Sequence, residues 1–329
     1  RYIENIRKSN PGLIWKSGLG LNYGDWLNGN TLNAEGFPKT GAQIPSEAFS
    51  TIMFYNSVNI LSKMAAAIGK NEKALYYSDL AANIKDAFIN RFVDADGKIE
   101  GDAQACYALA LHYGVYTKEL EKNFEKRMID KFIPYSGRMN TGFHSTLCLM
   151  KELVKRGYAE KAYQLLETKE FPSWGYSIEQ GATSIWERWD GYVKGRGFQG
   201  AGMNSFNHYA FGAIGEWMYE NILGFQPDND SPGFRHFILK PLPGGTLTWA
   251  KGSFNSISGK IDAGWKCENN RFEYDFTIPP NTTATVYIPG KSAGSVLLDG
   301  KKLSDLNKDI YKGYTDGYAV FEIRTGTFS

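Results

Sequence analysis

The sequence predicts a mainly α chain with a β domain, helical over residues 1–233 and a small antiparallel β-sandwich over residues 234–329. Three observations lead there. The apolar period is helical as far as about Gly224, it changes to two after about Phe234, and 329 residues exceed one ordinary domain of roughly 100–200 residues.

The start, Arg1-Tyr2-Ile3-Glu4-Asn5-Ile6, reads like the interior of an amphipathic helix. With no initiator Met and no signal peptide, a fragment or a processed chain is expected. Pro45-Ser46-Glu47 is a helix start signal, and Phe49, Ile52, Met53, Asn56, Ile60 and Met64 then follow the i, i+3, i+4 rule until Gly69. A second helix is predicted from about Glu72 to Phe92, with Leu75, Leu80, Ile84 and Phe88 on one stripe. Shorter ones follow near 102–113, 118–132, 141–156 and 158–168. The last spans about Ser205 to Leu223 and closes with Gly224 and Pro227. It is apolar on two sides, through Phe206, Ala210, Ala213, Ile214 and Trp217 and through Phe211, Gly212, Gly215 and Tyr219, as a helix buried in a larger assembly would be.

In the second half Phe272, Tyr274, Phe276 and Ile278 alternate with polar residues, and so do Ala284, Val286 and Ile288. Asp299-Gly300 is a hairpin turn signal, and the stretch around Val320 and Glu322 reads as a further strand.

Composition narrows the function classes. A net charge of +2 with 22% charged residues gives no surface suited to nucleic acid or to an anionic membrane. No apolar run reaches the roughly 18 residues of a membrane span. Cys106, Cys148 and Cys267 are widely spaced, which suggests neither a metal site nor a disulfide framework, and the first two sit in apolar helical surroundings as buried thiols would. No cofactor is implied. The aromatic share, 15%, is high; such rings fill cores and also stack on the C–H faces of sugars.

One segment resists a packing explanation. Residues 172–204 show little helical periodicity, and structureless loops beyond roughly 12–15 residues are usually functional or disordered. This one holds Trp174, Tyr176, Trp186, Trp189, Tyr192 and Phe198, too many aromatics for a solvated linker. It also carries Glu179, Glu187, Arg188 and Asp190, so it has the composition of a sugar pocket. Glu187, between Trp186 and Trp189, is a candidate general acid or base, since apolar neighbours raise a carboxyl's pKa. The alternative is an ion pair with Arg188 or another cation. His208 reads as a core histidine near a helix start, and Asp25 as a helix cap with Trp26 packed beside it.

At these residues a resemblance enters. Ala182-Thr183-Ser184-Ile185-Trp186-Glu187-Arg188-Trp189, followed by Asn204-Ser205-Phe206-Asn207-His208-Tyr209-Ala210, resembles bacterial α-L-rhamnosidases of glycoside hydrolase family 78. Tyr23-Gly24-Asp25-Trp26-Leu27, Asn140-Thr141-Gly142-Phe143 and Pro172-Ser173-Trp174-Gly175-Tyr176 are similar to that family too.

The resemblance implies an (α/α)6 barrel followed by a C-terminal β-sandwich, and inverting hydrolysis of terminal α-L-rhamnosides by two carboxyl groups. It makes Glu187 the general base and His208 a ligand of a sugar hydroxyl. Trp26 and Trp174 would line the rhamnose pocket, with Trp189 and, more weakly, Asp25 in the same wall. The partner implied is a rhamnose-containing glycoside or oligosaccharide. Other enzymes on such a barrel (glucosidase, trehalase-like or uronyl hydrolase) and a non-catalytic carbohydrate-binding relative remain as alternatives.

The family's general acid lies in a segment like Asp-Glu-Arg-x-Gly-Trp, and no such segment occurs in the 329 residues. A barrel of twelve helices also exceeds the roughly seven read here. The expectation is therefore an incomplete barrel lacking N-terminal helices, inactive alone, with its exposed apolar faces covered by a homodimer partner or the missing N-terminal portion. The compartment is left open between a bacterial periplasmic or extracellular location and the cytoplasm.

Overall fold

The computed structural model describes residues 1–16, 21–34, 36–269, 271–306 and 309–329. It divides into two compact units, 1–212 and 213–329.

The first unit is helical. Its helices are α1 (Tyr2–Ser9), α2 (Ser46–Ala67), α3 (Asn71–Phe92), α4 (Gln104–Tyr113), α5 (Lys118–Asp130), α6 (Phe143–Lys155), α7 (Ala159–Glu167) and α8 (Trp174–Glu179). The helices expected from periodicity up to residue 168 are all among them; α8 lies inside the segment read as irregular. Pro45 precedes α2 in an extended conformation, and Gly69 at φ +70° turns the chain into α3. Ile3 and Ile6 of α1 bury against Phe54, Val58, Leu80, Ala81 and Ile84 of the α2–α3 hairpin. In α4, every residue from Gln104 to Leu111 is buried, so this helix is the centre of its layer. Gly114, in the left-handed region at φ +78°, ends it.

Helices α4, α5 and α6 are tied together by a buried charge cluster. The Arg156 side chain, 6% exposed, pairs with Glu152 at 3.0 Å, Glu121 at 3.2 Å and Glu125 at 3.3 Å, and His112 approaches Glu152 at 3.4 Å. Burial works to raise the Glu152 carboxyl, but His112, Lys155 and Arg156 outweigh it and hold the pKa below the usual carboxylate range. Glu125 is likewise held low against its burial by Lys122, Tyr158 and Arg156.

The helix expected over Ser205–Leu223 begins later and is irregular. Residues 205–209 lie outside any helix, a 3-10 turn covers Ala210–Ala213, α9 covers Ile214–Trp217, and a π turn covers Met218–Ile222. The reason is competition for backbone partners. The Ser205 carbonyl, which a helix starting there would pair with the amide four residues on, accepts from the Glu187 amide instead, and the His208 amide donates outward to the Ile185 carbonyl. Gly224 ends the element as expected: it sits at φ +83°, and a Cβ there would lie 2.4 Å from the Lys240 backbone. The helix-end carbonyls of Ile222 and Leu223 accept from the Trp265 indole and the Tyr274 hydroxyl.

Two short strands, β1 (Tyr192–Val193) and β2 (Gly197–Phe198), make a hairpin in the first unit. The second unit carries β3 (Phe225–Pro227), β4 (His236–Leu239), β5 (Trp249–Ser256), β6 (Gly259–Glu268), β7 (Arg271–Pro289), β8 (Leu297–Leu298), β9 (Lys301–Lys302), β10 (Tyr311–Thr315) and β11 (Tyr318–Phe328). Seven of them form one sheet around β7. The two strands read over 272–278 and 284–288 are this single long strand. On one side it pairs with β11 from Phe276 to Pro289; on the other it pairs first with β6 and then with β4. The β4–β7 pair is parallel and the remaining pairs are antiparallel, so the expected antiparallel arrangement carries one exception. The alternation is real: Tyr274, Phe276, Ile278, Ala284 and Val286 of β7 are buried with Phe321 and Ile323 of β11. The sheet also starts before residue 234, because Phe225 of β3 already pairs with Leu239.

Candidate active site

The segment containing Glu187 is held in register with the segment containing His208. The Glu187 amide donates to the Ser205 carbonyl at 2.9 Å, the Ser205 amide donates to Glu187 Oε2 at 2.9 Å, and the His208 amide donates to the Ile185 carbonyl at 2.9 Å. The Ser184 hydroxyl adds a bond to the Phe206 carbonyl. Glu187 is half-buried, between Trp186 and Trp189, which are 8% and 4% exposed. His208 is half-buried and stacks on Phe143, with ring centroids 5.2 Å apart.

The alternative reading of Glu187, an ion pair with Arg188, is not what the structure holds. Arg188 Nε donates to Asp190 Oδ1 at 2.9 Å, and its Nη2 donates to the Thr31 carbonyl at 2.8 Å. Asp190 is fully buried. Its other oxygen accepts from the Asn33 amide at 3.0 Å and from the Gln199 side chain. Among the described residues, the Ser205 amide is the hydrogen-bond donor to the Glu187 carboxylate, and no cation pairs with it.

Asp25 has a different place from the one the resemblance implied. It is 2% exposed, and both its oxygens are occupied at the start of α6. The Gly142 amide donates to Oδ2 at 2.8 Å, the His144 and Ser145 amides donate to Oδ1 at 3.0 Å, and the Ser145 hydroxyl donates to Oδ2. Asp25 therefore caps a helix far along the chain rather than presenting a carboxylate to a ligand. Burial pushes its pKa up, while the Ser145 hydroxyl and the amides of Gly142 and Ser145 pull it back. The cap reading was correct in kind, though the helix is α6.

The same contact positions Trp26. Its carbonyl accepts from the Phe143 amide at 2.9 Å, and its half-buried indole meets Tyr23 edge-on. Gly142 makes this approach feasible, since a Cβ there would sit 2.4 Å from the Trp26 carbonyl oxygen and 2.5 Å from that of Asp25. Phe143, next in sequence, is the residue that stacks on His208. Three separated motifs thus converge: Asp25-Trp26, Gly142-Phe143 and the paired Glu187 and His208 segments.

Trp174 and Trp189 belong to a cavity beside Glu187. They meet edge-on at 5.2 Å, Trp189 packs on Phe211 at 4.0 Å, and the Trp174 indole donates to the Phe211 carbonyl. With Ile178, Ile185 and Trp186 they line a space of about 340 Å³ whose lining includes no charged side chain. Glu187 is not among its lining residues. Among the described residues no cluster of three or more His, Cys, Asp or Glu side chains is placed to hold a metal ion.

The comparisons with known proteins agree with the motifs. Residues 1–222 match the family described as bacterial alpha-L-rhamnosidase 6 hairpin glycosidase domain. The chain belongs to the bacterial α-L-rhamnosidase family. Residues 224–302 match the C-terminal domain of the same rhamnosidases. The chain is 36% identical over 327 residues to an α-L-rhamnosidase of Streptomyces avermitilis, a match covering 99% of this chain and 29% of that protein. It is 34% identical over 285 residues to one of Formosa agariphila, covering 86% of this chain and 30% of that one. Among solved structures it is similar to the Streptomyces avermitilis α-L-rhamnosidase complexed with L-rhamnose (TM-score 0.87, 34% identity, 99% of this chain and 29% of that one). It is also similar to α-L-rhamnosidase from Dictyoglumus thermophilum (TM-score 0.83, 29% identity, 99% and 35%). This rhamnosidase-family chain therefore spans about a third or less of the length of these relatives.

Sequence reasoning noted Asp190 only as one more carboxylate in the loop, and gave Ser205 and Phe143 no role. The signal that would have found Asp190 is its spacing from Arg188, two residues away in a segment rich in glycine.

Proposed function

We propose that the protein containing this chain hydrolyses terminal α-L-rhamnosides with inversion, and that Glu187 is its general base. The observation supporting this is a half-exposed carboxylate whose one oxygen is fixed by the Ser205 amide and whose neighbouring arginine is drawn off to Asp190. Such a group is oriented yet available to take a proton. In the step, a water oxygen bonds to the anomeric carbon and gives its proton to Glu187. The bond to the leaving oxygen breaks, and that oxygen receives a proton from a second carboxyl group.

His208 and Trp26 are the sugar contacts in this reading: an imidazole for a hydroxyl and an indole for the apolar ring face. Asp25 acts by fixing Trp26 and α6. Trp174 and Trp189 support the loop from behind, along the apolar cavity. The helices belong to an (α/α)6 barrel, and the general acid lies outside these 329 residues, so the chain by itself turns over aryl α-L-rhamnoside negligibly. The test is Glu187→Gln in the full-length protein. A loss of kcat between about 10²- and 10⁴-fold, with unchanged thermal unfolding, is expected on removing a general base. Turnover at the parent rate sinks the assignment.

A further inference from the structure

We infer that Asp190 is a positioning residue for Glu187: by taking up Arg188 and Arg196 it keeps a guanidinium off the Glu187 carboxylate. This rests on the reading of Glu187 as the base.

Arg188 follows Glu187 directly, and its long side chain would be the ready partner for that carboxylate in a mobile loop. It is held elsewhere at both ends of its fork, at Asp190 and at the Thr31 carbonyl. Arg196, from the turn of the β1–β2 hairpin, approaches the same carboxylate at 3.7 Å and donates to the carbonyls of Asn33 and Asp190. Asp190 is 0% exposed, so it faces these two cations in a medium that screens them little. Its remaining capacity goes to the Asn33 amide and Gln199. Arg188, next to Glu187 in sequence, and Arg196 are thus both directed to Asp190, and His208 lies on the segment whose backbone pairs with that of Glu187.

The consequence is chemical. A base must be ionised to work, but a carboxylate neutralised by a contacting guanidinium is a poorer proton acceptor, because the cation favours the charged form. One buried carboxylate therefore serves a second one. It sets the direction of two arginines, and it pins the loop to residues 31–33 so that the direction is kept.

The test uses the full-length protein and the pH profile of kcat/KM on an aryl α-L-rhamnoside, whose acid limb reports ionisation of the base in the free enzyme. In Asp190→Asn the freed arginine reaches Glu187. The acid limb moves to lower pH by at least about half a unit, and the plateau falls. Adding Arg188→Gln to that variant returns the limb toward its parent position. A lower rate with an unmoved limb and no rescue means Asp190 is only structural, and overturns the proposal. Arg188→Gln alone gives an independent reading should Asp190→Asn fold poorly. The limb stays in place if Asp190 already neutralises Arg188, and a limb moved to higher pH overturns the proposal. The Glu187→Gln control separates the two ideas. Full activity there removes the base assignment itself. An inactive Glu187→Gln beside an unmoved limb in Asp190→Asn removes the Asp190 proposal alone.

Discussion

Asp25 and Ser145 are joined twice across 120 residues of chain, by the Ser145 amide at 3.0 Å and by the Ser145 hydroxyl. The pair closes the N-terminus of α6 and fixes the backbone that carries Trp26. Replacing Asp25 with Ala leaves the buried amides of Gly142 and Ser145 without their partner and frees that of His144. A loss on the order of 3 kcal/mol in urea unfolding is expected. A change below about 0.5 kcal/mol, the range of a neutral surface substitution, contradicts the cap.

Gly142 and Gly24 make a matched pair. Gly142→Ala places a methyl 2.4 Å from one backbone oxygen and 2.5 Å from another, with no side chain able to move aside. The loss should reach about 3 kcal/mol, the upper range of overpacking. Gly24→Ala meets nothing within 4 Å and suffers only its φ of +63°, so about 1 kcal/mol is expected. Equal effects in thermal unfolding argue against the close approach of Gly142 to Asp25 and Trp26.

Arg156→Gln strips Glu121, Glu125 and Glu152 of their shared cation. Near neutral pH this costs about 3–5 kcal/mol, because buried charge is left uncompensated. The sign with pH follows from the depressed pKa values of Glu125 and Glu152. Their stabilisation is complete above the unfolded carboxylate pKa of about 4.3 and is lost as pH falls through the folded values. The gap between parent and variant in urea unfolding narrows below about pH 4. A gap independent of pH means the effect is steric.

Thiol labelling separates the three cysteines. Burial pushes the Cys106 and Cys148 thiols up to about 12, whereas Cys267 is exposed. Since the thiolate is the nucleophile, Cys267 alone reacts with iodoacetamide in the native protein and all three react in denaturant. Modification of Cys106 in the folded state contradicts the burial of α4.

Inversion has a stereochemical signature. Water delivered by Glu187 to the face opposite the leaving group gives β-L-rhamnose as the first product of an α-L-rhamnoside in the full-length protein. Proton NMR of early time points reads this anomer directly. An initial α anomer requires a covalent intermediate and removes Glu187 from the role of base.

Much of this was legible in the sequence, for physical reasons. Helices α2 to α7 announced themselves by apolar residues at helical spacing, although α4 is buried all round and Ile60, Met64 and Leu75 of the expected stripes are exposed, and β7 and β11 because their alternate residues are buried. Strands β5 and β6 were missed. In β5 the residues are half-buried or exposed in no regular order, although Ile261, Ala263 and Trp265 of β6 do alternate. The helix start misplaced at Ser205 shows the complementary limit. Apolar spacing records which side chains are buried, whereas Ser205 and His208 have their backbone partners in a segment some 20 residues upstream. Glu187 stood out by its tryptophan neighbours. The service of Asp190 did not, because Asn33 lies 157 residues from it along the chain.

The paired ties of Asp25 to the start of α6 and of Asp190 to Asn33 also bear on inheritance and engineering. Residues 22–33, 140–146 and 184–208 meet through backbone groups as much as side chains. A loop transplanted from a homologous rhamnosidase brings carboxylates cut to the backbone path of its own two companions. Chimeras that exchange all three stretches together should retain their fit, while single-loop grafts break a cap or release an arginine. For recombination, the three stretches behave as one unit scattered through the gene.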